Sequence, residues 1–334
     1  MVDLSHINCL CFSGGGLKGL SITGALQCLC DQQNIDFGSR TQPLHTCAGT
    51  SIGAIFALLI TIGYTVTELS IFSHYFFSLT NLWRLSSSID KYSLADGNEI
   101  RKLLIKLLQQ KGIAETITFE ELYEITHTHL IVVAIDVESR TGEYLGVDEK
   151  SDLSVLDAVC ASAAIPLIFP AVECNTKKYI DGGCFDNFPI TLLPKETTLG
   201  FYIQSDEKVA SEAKLMDRLI DVYNAFDGFR SQMHWELLSN RYKKNIIILY
   251  IPYNITPLGD GTNNRDIVVR AGYTCASEFL EGKQKRLQYS EGALPHYFLE
   301  GSSHRSASPN QDGNPHGSSL SGLTQDAVRK EQKN

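Results

Sequence analysis

An α/β layer fold with a mostly parallel central sheet is what this sequence predicts, on three observations. Near the N-terminus a short apolar run empties into a glycine loop, Gly14-Gly15-Gly16-Leu17-Lys18-Gly19, and a helical pattern follows. A second run ends at Gly49-Thr50-Ser51-Ile52-Gly53 and leads into an apolar helix. Third, Leu130-Ile131-Val132-Val133-Ala134-Ile135 reads as a strand buried on both faces, the habit of parallel sheets.

The elements follow in chain order. Ile7 to Phe12 is the first short strand, and Leu17 to Gln33 carries Leu17, Leu20, Ala25, Leu26 and Leu29 at helical spacing. Leu44 to Ala48 is the second strand and Ile52 to Ile62 the helix after it. Helices are expected over Thr67 to Phe77 and Asn98 to Gln110, with a Ser-containing loop around Leu85 to Ser93 between them. Ser154 to Ala164 reads as a helix stopped by Pro166, and Lys178-Tyr179-Ile180 as a short strand. Thr198 to Ile203 and Asn245 to Ile251 are strands separated by a long helix, Lys214 to about Arg241. Residues 301 to 334 hold no aromatic residue and are rich in Ser, Gly, Asn and Gln, the composition of a disordered tail.

Composition narrows the function. With 43 % hydrophobic and 20 % charged residues the chain is that of a globular protein. A net charge of −9 without a basic stripe argues against a nucleic-acid partner. The nine cysteines form no C-x-x-C pair, so neither a zinc knuckle nor a redox pair is expected, and reduced thiols in a cytosol-like compartment are. Acidic Asp3 stands where a secretory leader carries bases. The longest apolar run, Ala54 to Ile62, falls short of the ~20 residues that cross a bilayer.

Strand, Gly-bounded turn and helix is the context a nucleophile elbow requires, so Ser51 is a candidate nucleophile, although G-x-S-x-G also arises by chance in Gly-rich turns. Asp181-Gly182-Gly183 would present a carboxylate on a turn, or be an ordinary Asp-Gly turn. A serine needs a base. Of nine histidines, His234 falls in an expected helix interior and His304 and His316 in the tail, which leaves His296 as the candidate for a Ser-His-Asp arrangement, and no motif surrounds it. Gly14, Gly16 and Gly19 also fit G-x-G-x-x-G, a dinucleotide loop, which would want an acid about 20 residues on at the end of the second strand. Asp36 is near that distance but lies in a loop-like stretch.

Taken in order, these blocks resemble the patatin-like phospholipase family. The glycine loop Gly14 to Gly19, the elbow Gly49 to Gly53, the block Ala161-Ser162-Ala163-Ala164-Ile165-Pro166-Leu167-Ile168-Phe169-Pro170 and the signature Asp181-Gly182-Gly183 all match, within residues 7 to about 195. Ser13 departs from the Asp of many relatives and Ala171 from a frequent second Pro. The resemblance implies a three-layer α/β/α fold and a Ser-Asp dyad in place of a triad. Ser51 would be nucleophile, Asp181 base, Gly14 to Gly16 the oxyanion hole and Lys18 a nearby positive charge. It implies a catalytic core over 7–195, with 196–300 completing the same domain. It also implies a phospholipid or other acyl-lipid substrate, cleaved without metal or cofactor. The competing readings are a general carboxylesterase or thioesterase, and a lipid-binding protein with little turnover. Cytoplasmic residence with peripheral membrane contact follows as an expectation. Phe72, Tyr75, Phe76 and Phe77 are expected to pack a helix on the core, while Trp83 and Arg84, in the loop beyond it, suit an interface.

Overall fold

Everything in the fold is arranged around one buried strand, β1 (Cys9–Phe12), all four of whose residues are buried. The computed structural model describes residues 2–39, 43–85, 97–146, 152–166, 168–205, 228–229, 232–251 and 264–284. β1 pairs in parallel with β2 (Thr46–Thr50) on one edge and with β7 (Thr198–Ser205) on the other. β3 (His129–Asp136) extends the parallel sheet beyond β2, and β8 (Ile246–Ile251) beyond β7.

Neighbouring residues of a strand face opposite sides, and the two sides find different partners. Phe201 of β7 stacks on Phe12 with ring centroids 5.0 Å apart, and Phe12 meets Phe56 of α2 (Ile52–Thr61). Tyr202, the next residue, packs instead against Phe188 and Trp235. Helices thus cover both faces of a mostly parallel sheet, as the sequence predicts. On the α2 face, α3 (Val66–Leu85) meets α2 through Phe72 and Phe56. α1 (Ser21–Gln33) lies against α9 (Asn264–Leu280) at glycine contacts: a Cβ on Gly24 would stand 1.8 Å from the Val269 carbonyl oxygen, one on Gly272 1.9 Å from that of Ser21.

The other edge of the sheet is antiparallel. β3 turns into β4 (Thr141–Leu145), which pairs with it from Val132 to Asp136. A second hairpin, β5 (Val172–Cys174) and β6 (Lys177–Asp181), returns to β3 from Ala134 to Asp136. Three strands therefore share β3, which has two edges. β4 overlaps both β2 and β6 along β3, so β2 and β6 must lie on the same edge, end to end.

Several expectations need correction. α3 runs to Leu85, so Trp83 and Arg84 stand on its backbone rather than in a loop. The Ser78 hydroxyl bonds back to the His74 carbonyl (2.9 Å), which lets serine sit inside the helix. Phe72 and Phe76 are buried, but Tyr75 is 62 % exposed, not part of the packing face. The expected helix ending near Arg241 stops earlier. Residues 232–237 are helical, Ser239 is extended, and a separate short α8 (Asn240–Lys243) follows. α4 (Asn98–Gln110) spans the expected residues, and α6 (Val155–Ser162) closes before Pro166. The Ser86–Ser93 part of the expected loop, most of the 214–241 helix, and the 301–334 tail lie outside the described residues.

Candidate active site

The elbow is built by sterics. Ser51 caps α2 with φ 57° and ψ −126°, a left-handed conformation that side chains seldom adopt. Holding it there costs about 1–3 kcal/mol, which the surrounding packing must supply. Both flanking glycines are required. A Cβ on Gly49 would lie 2.3 Å from the Gly53 carbonyl oxygen, and one on Gly53 2.3 Å from that of Phe12. The positive end of the α2 dipole is directed at Ser51.

Asp181 arrives where the elbow leaves. β2 follows β3 as far as Thr50 opposite Val133, and β6, running the other way, ends with Asp181 opposite Ala134. The two β3 positions are consecutive, about 3.3 Å apart along the strand. The chain after Thr50 must therefore turn out of the sheet, and Asp181 occupies the next place on the edge. Both residues are buried, Ser51 at 6 % exposure and Asp181 at 1 %. One segment fastens both. Ser162 Oγ accepts the Ser51 backbone N–H (3.0 Å), and the Ala164 carbonyl accepts that of Asp181 (2.9 Å). Asp181 Oδ1 also accepts the Gly183 N–H at 2.7 Å.

The glycine loop lies beside Ser51. A Cβ on Gly14 would come within 3.2 Å of Ser51 Cβ and 2.2 Å of Asn187 Oδ1, while one on Gly19 would strike Ile52. Gly16 has φ 53°. The Ser13 hydroxyl accepts the Ile203 N–H (2.8 Å), which pins the loop's entry to β7. Gly14 donates its N–H to the Asn187 carbonyl (3.0 Å), whereas the N–H groups of Gly15 and Gly16 have no acceptor among the described residues. Lys18 is buried in the 3-10 turn Gly16–Leu20 that follows.

Residues not singled out in the sequence complete the arrangement. After β6 the short α7 (Gly183–Asp186) ends in a buried Asp186. The Asp186 carbonyl accepts the Thr50 hydroxyl (2.7 Å), and its carboxylate accepts Tyr144 OH (2.9 Å) and the Phe188 N–H (3.1 Å). His234 Nδ1 stands 3.7 Å from Asp186 Oδ1. The only sequence signal was a pair of polar residues, Asp186-Asn187, between Phe185 and Phe188.

His45 and His129 sit at the opposite ends of their strands from Ser51, near Tyr123. His296 lies outside the described residues. Asp36, the acid a dinucleotide would need, accepts the Gly38 and Val66 N–H groups instead and so caps the start of α3. Among the described residues no group of three or more His, Cys, Asp or Glu is placed to hold a metal ion. No helix among them is long and apolar enough to cross a membrane.

A serine elbow on a mostly parallel sheet, with a carboxylate and a glycine loop around it, suits a hydrolase, and comparison with known proteins supports that class. The family model for patatin-like phospholipases matches residues 10–194. A probable lipid hydrolase, 463L, of Invertebrate iridescent virus 6 is 30 % identical over 236 residues, spanning 69 % of this chain and 75 % of that protein. The uncharacterized protein YqhO of Bacillus subtilis (strain 168) is 28 % identical over 263 residues, spanning 71 % and 85 %. In structure, VipD from Legionella pneumophila shares the fold, with a TM-score of 0.57 at 18 % identity, over 83 % of this chain and 67 % of that one. The chain belongs to the patatin-like phospholipase family.

Proposed function

We propose that the protein is a lipid acyl hydrolase, of phospholipase A type, working through a Ser51–Asp181 dyad. Ser51 Oγ attacks the acyl carbonyl carbon while its proton passes to Asp181. The tetrahedral oxyanion is met by the N–H groups of Gly15 and Gly16, within the Gly14 to Gly16 loop, and by the N-terminus of α2. When the ester C–O bond breaks, Asp181 returns the proton to the leaving alcohol. Water then attacks the acyl-enzyme, gives a proton to Asp181, and releases the fatty acid as Ser51 Oγ takes that proton back. The observation that carries this reading is the hand-over on the β3 edge, which brings Asp181 in where the strained Ser51 turns out.

The substrate is met at a membrane surface in this reading, by peripheral contact. All nine cysteines are free thiols, which suits a reducing, cytoplasmic compartment. A fluorophosphonate probe and phosphatidylcholine vesicles test the proposal. Wild-type protein is expected to be labelled at Ser51 and to release fatty acid, and Ser51→Ala to do neither. Labelling at another residue, or more than a few per cent of activity in Ser51→Ala, would overturn it. Cleavage of short soluble esters with no action on vesicles would replace phospholipid by a soluble ester as substrate.

A further inference from the structure

Asp186 is a carboxylate at 7 % exposure that the proposed chemistry does not use. Burying a charge is costly unless hydrogen bonds replace its water. Here Tyr144 OH bonds one oxygen at 2.9 Å and the Phe188 N–H the other at 3.1 Å. The second bond closes an Asx turn over residues 186–188, which fixes the direction of the two peptide groups inside it. Those carbonyls face the candidate site. That of Asp186 receives the Thr50 hydroxyl, one residue before the elbow, at 2.7 Å. That of Asn187 receives the Gly14 N–H, at the head of the glycine loop, at 3.0 Å.

The turn is therefore held on three sides: by β4 through Tyr144, by β2 through Thr50, and by the glycine loop through Gly14. Asn187 Oδ1 fills the space that a side chain on Gly14 would need, 2.2 Å from the Cβ position. The loop and the elbow are already at contact distance there, 3.2 Å from that position to Ser51 Cβ. We propose that Asp186 is a positioning residue that sets the gap between the Gly14 loop and the Ser51 elbow, and with it the aim of the oxyanion donors. This rests on the reading of Ser51 as nucleophile, but the placement itself can be measured without catalysis.

A misplacement of about 1 Å can cost on the order of 100-fold in rate. Asp186→Ala removes both bonds of the turn, Asp186→Asn keeps one acceptor, and Tyr144→Phe removes a single bond. Each full-length variant is titrated with a fluorophosphonate to count competent sites, and turnover is expressed per titrated site. Asp186→Ala is expected to lose about 100-fold in kcat with KM nearly unchanged, and the two milder variants to lose less. In parallel, amide hydrogen exchange at Gly14 is expected to speed up on the order of tenfold in Asp186→Ala as its acceptor loosens. A purely structural role would instead lower the number of titratable sites and leave turnover per site alone, and that result overturns the proposal. So does unchanged Gly14 exchange. Should Asp186→Ala fail to fold, Asp186→Asn and Tyr144→Phe decide by the same readouts. If wild-type protein is not labelled at Ser51, the functional reading falls while Gly14 exchange still decides whether Asp186 holds the loop.

Discussion

Gly53→Ala tests whether the elbow is as tightly built as its geometry implies. The new Cβ would stand 2.3 Å from the Phe12 carbonyl oxygen and 2.7 Å from that of Ser13. An ordinary C···O contact is no closer than about 3.3 Å, so the elbow and the end of β1 must separate by about 1 Å. Both atoms struck are backbone, in the central strand or just after it, so no side chain can swing aside. Overpacking of this kind costs about 1–3 kcal/mol, and a 1 Å shift at a reacting group about 100-fold in rate. The expected result is a lower urea midpoint together with a labelling rate at Ser51 reduced by about two orders of magnitude. Gly112→Ala is the control: that glycine has positive φ, 71°, which Gly53 does not, but nothing stands within 4 Å of its Cβ position. It should lose some stability and keep wild-type labelling. Wild-type labelling and stability in Gly53→Ala would refute the reasoning.

Other outcomes follow from the same structure. Gly15→Ala meets the Ile203 side chain first, at 3.0 Å, and needs it to yield by a few tenths of an ångström, so it should still fold and lose kcat rather than affinity; a change in KM alone would remove the oxyanion role from this loop. Asp181→Asn should be nearly as damaging as Ser51→Ala, with no further loss in the double variant, whereas His296→Ala should be near neutral in phospholipid hydrolysis. Burial pushes the Cys47 thiol up to about 12, so at neutral pH it stays protonated and unreactive. Iodoacetamide should modify it only after unfolding, and rapid native alkylation read by mass spectrometry would contradict that. Trp83→Ala, late on α3, should weaken vesicle binding and vesicle hydrolysis while sparing a soluble short-chain ester; equal loss on both would make Trp83 a packing residue.

What could be read from the sequence was what depends on local signals. The glycine loop, the elbow and the Leu130 to Ile135 run each carry their own pattern, and β1, β2, α2 and β3 lie where that pattern puts them. Elements with weak or mixed patterns were missed. β4 is mostly polar and partly exposed. α9 contains Gly272, which its close crossing with α1 demands but which lowers helix propensity. α5 (Phe119–Thr126) did carry a signal, since Thr118 and Glu121 form a capping box, with Thr118 Oγ1 accepting the Glu121 N–H and Glu121 accepting that of Thr118.

The candidate site divides the same way, by whether a residue acts through its side chain or through its place in the chain. Ser51 is a candidate from its elbow motif and Asp181 from the family resemblance, because side-chain chemistry restricts residue type at both. Nothing local brings them together; that depends on β2 and the oppositely running β6 both ending, at Thr50 and Asp181, at adjacent places on one edge of a third strand. Ser162 and Ala164 fasten the two through a hydroxyl and a carbonyl. The carbonyls of Asp186 and Asn187 tie in Thr50 and Gly14, and any residue type could supply a carbonyl. The parts of this site proposed to do chemistry are therefore written in residue identity, while the parts that hold them in place are written in register and backbone direction, which only the folded chain displays.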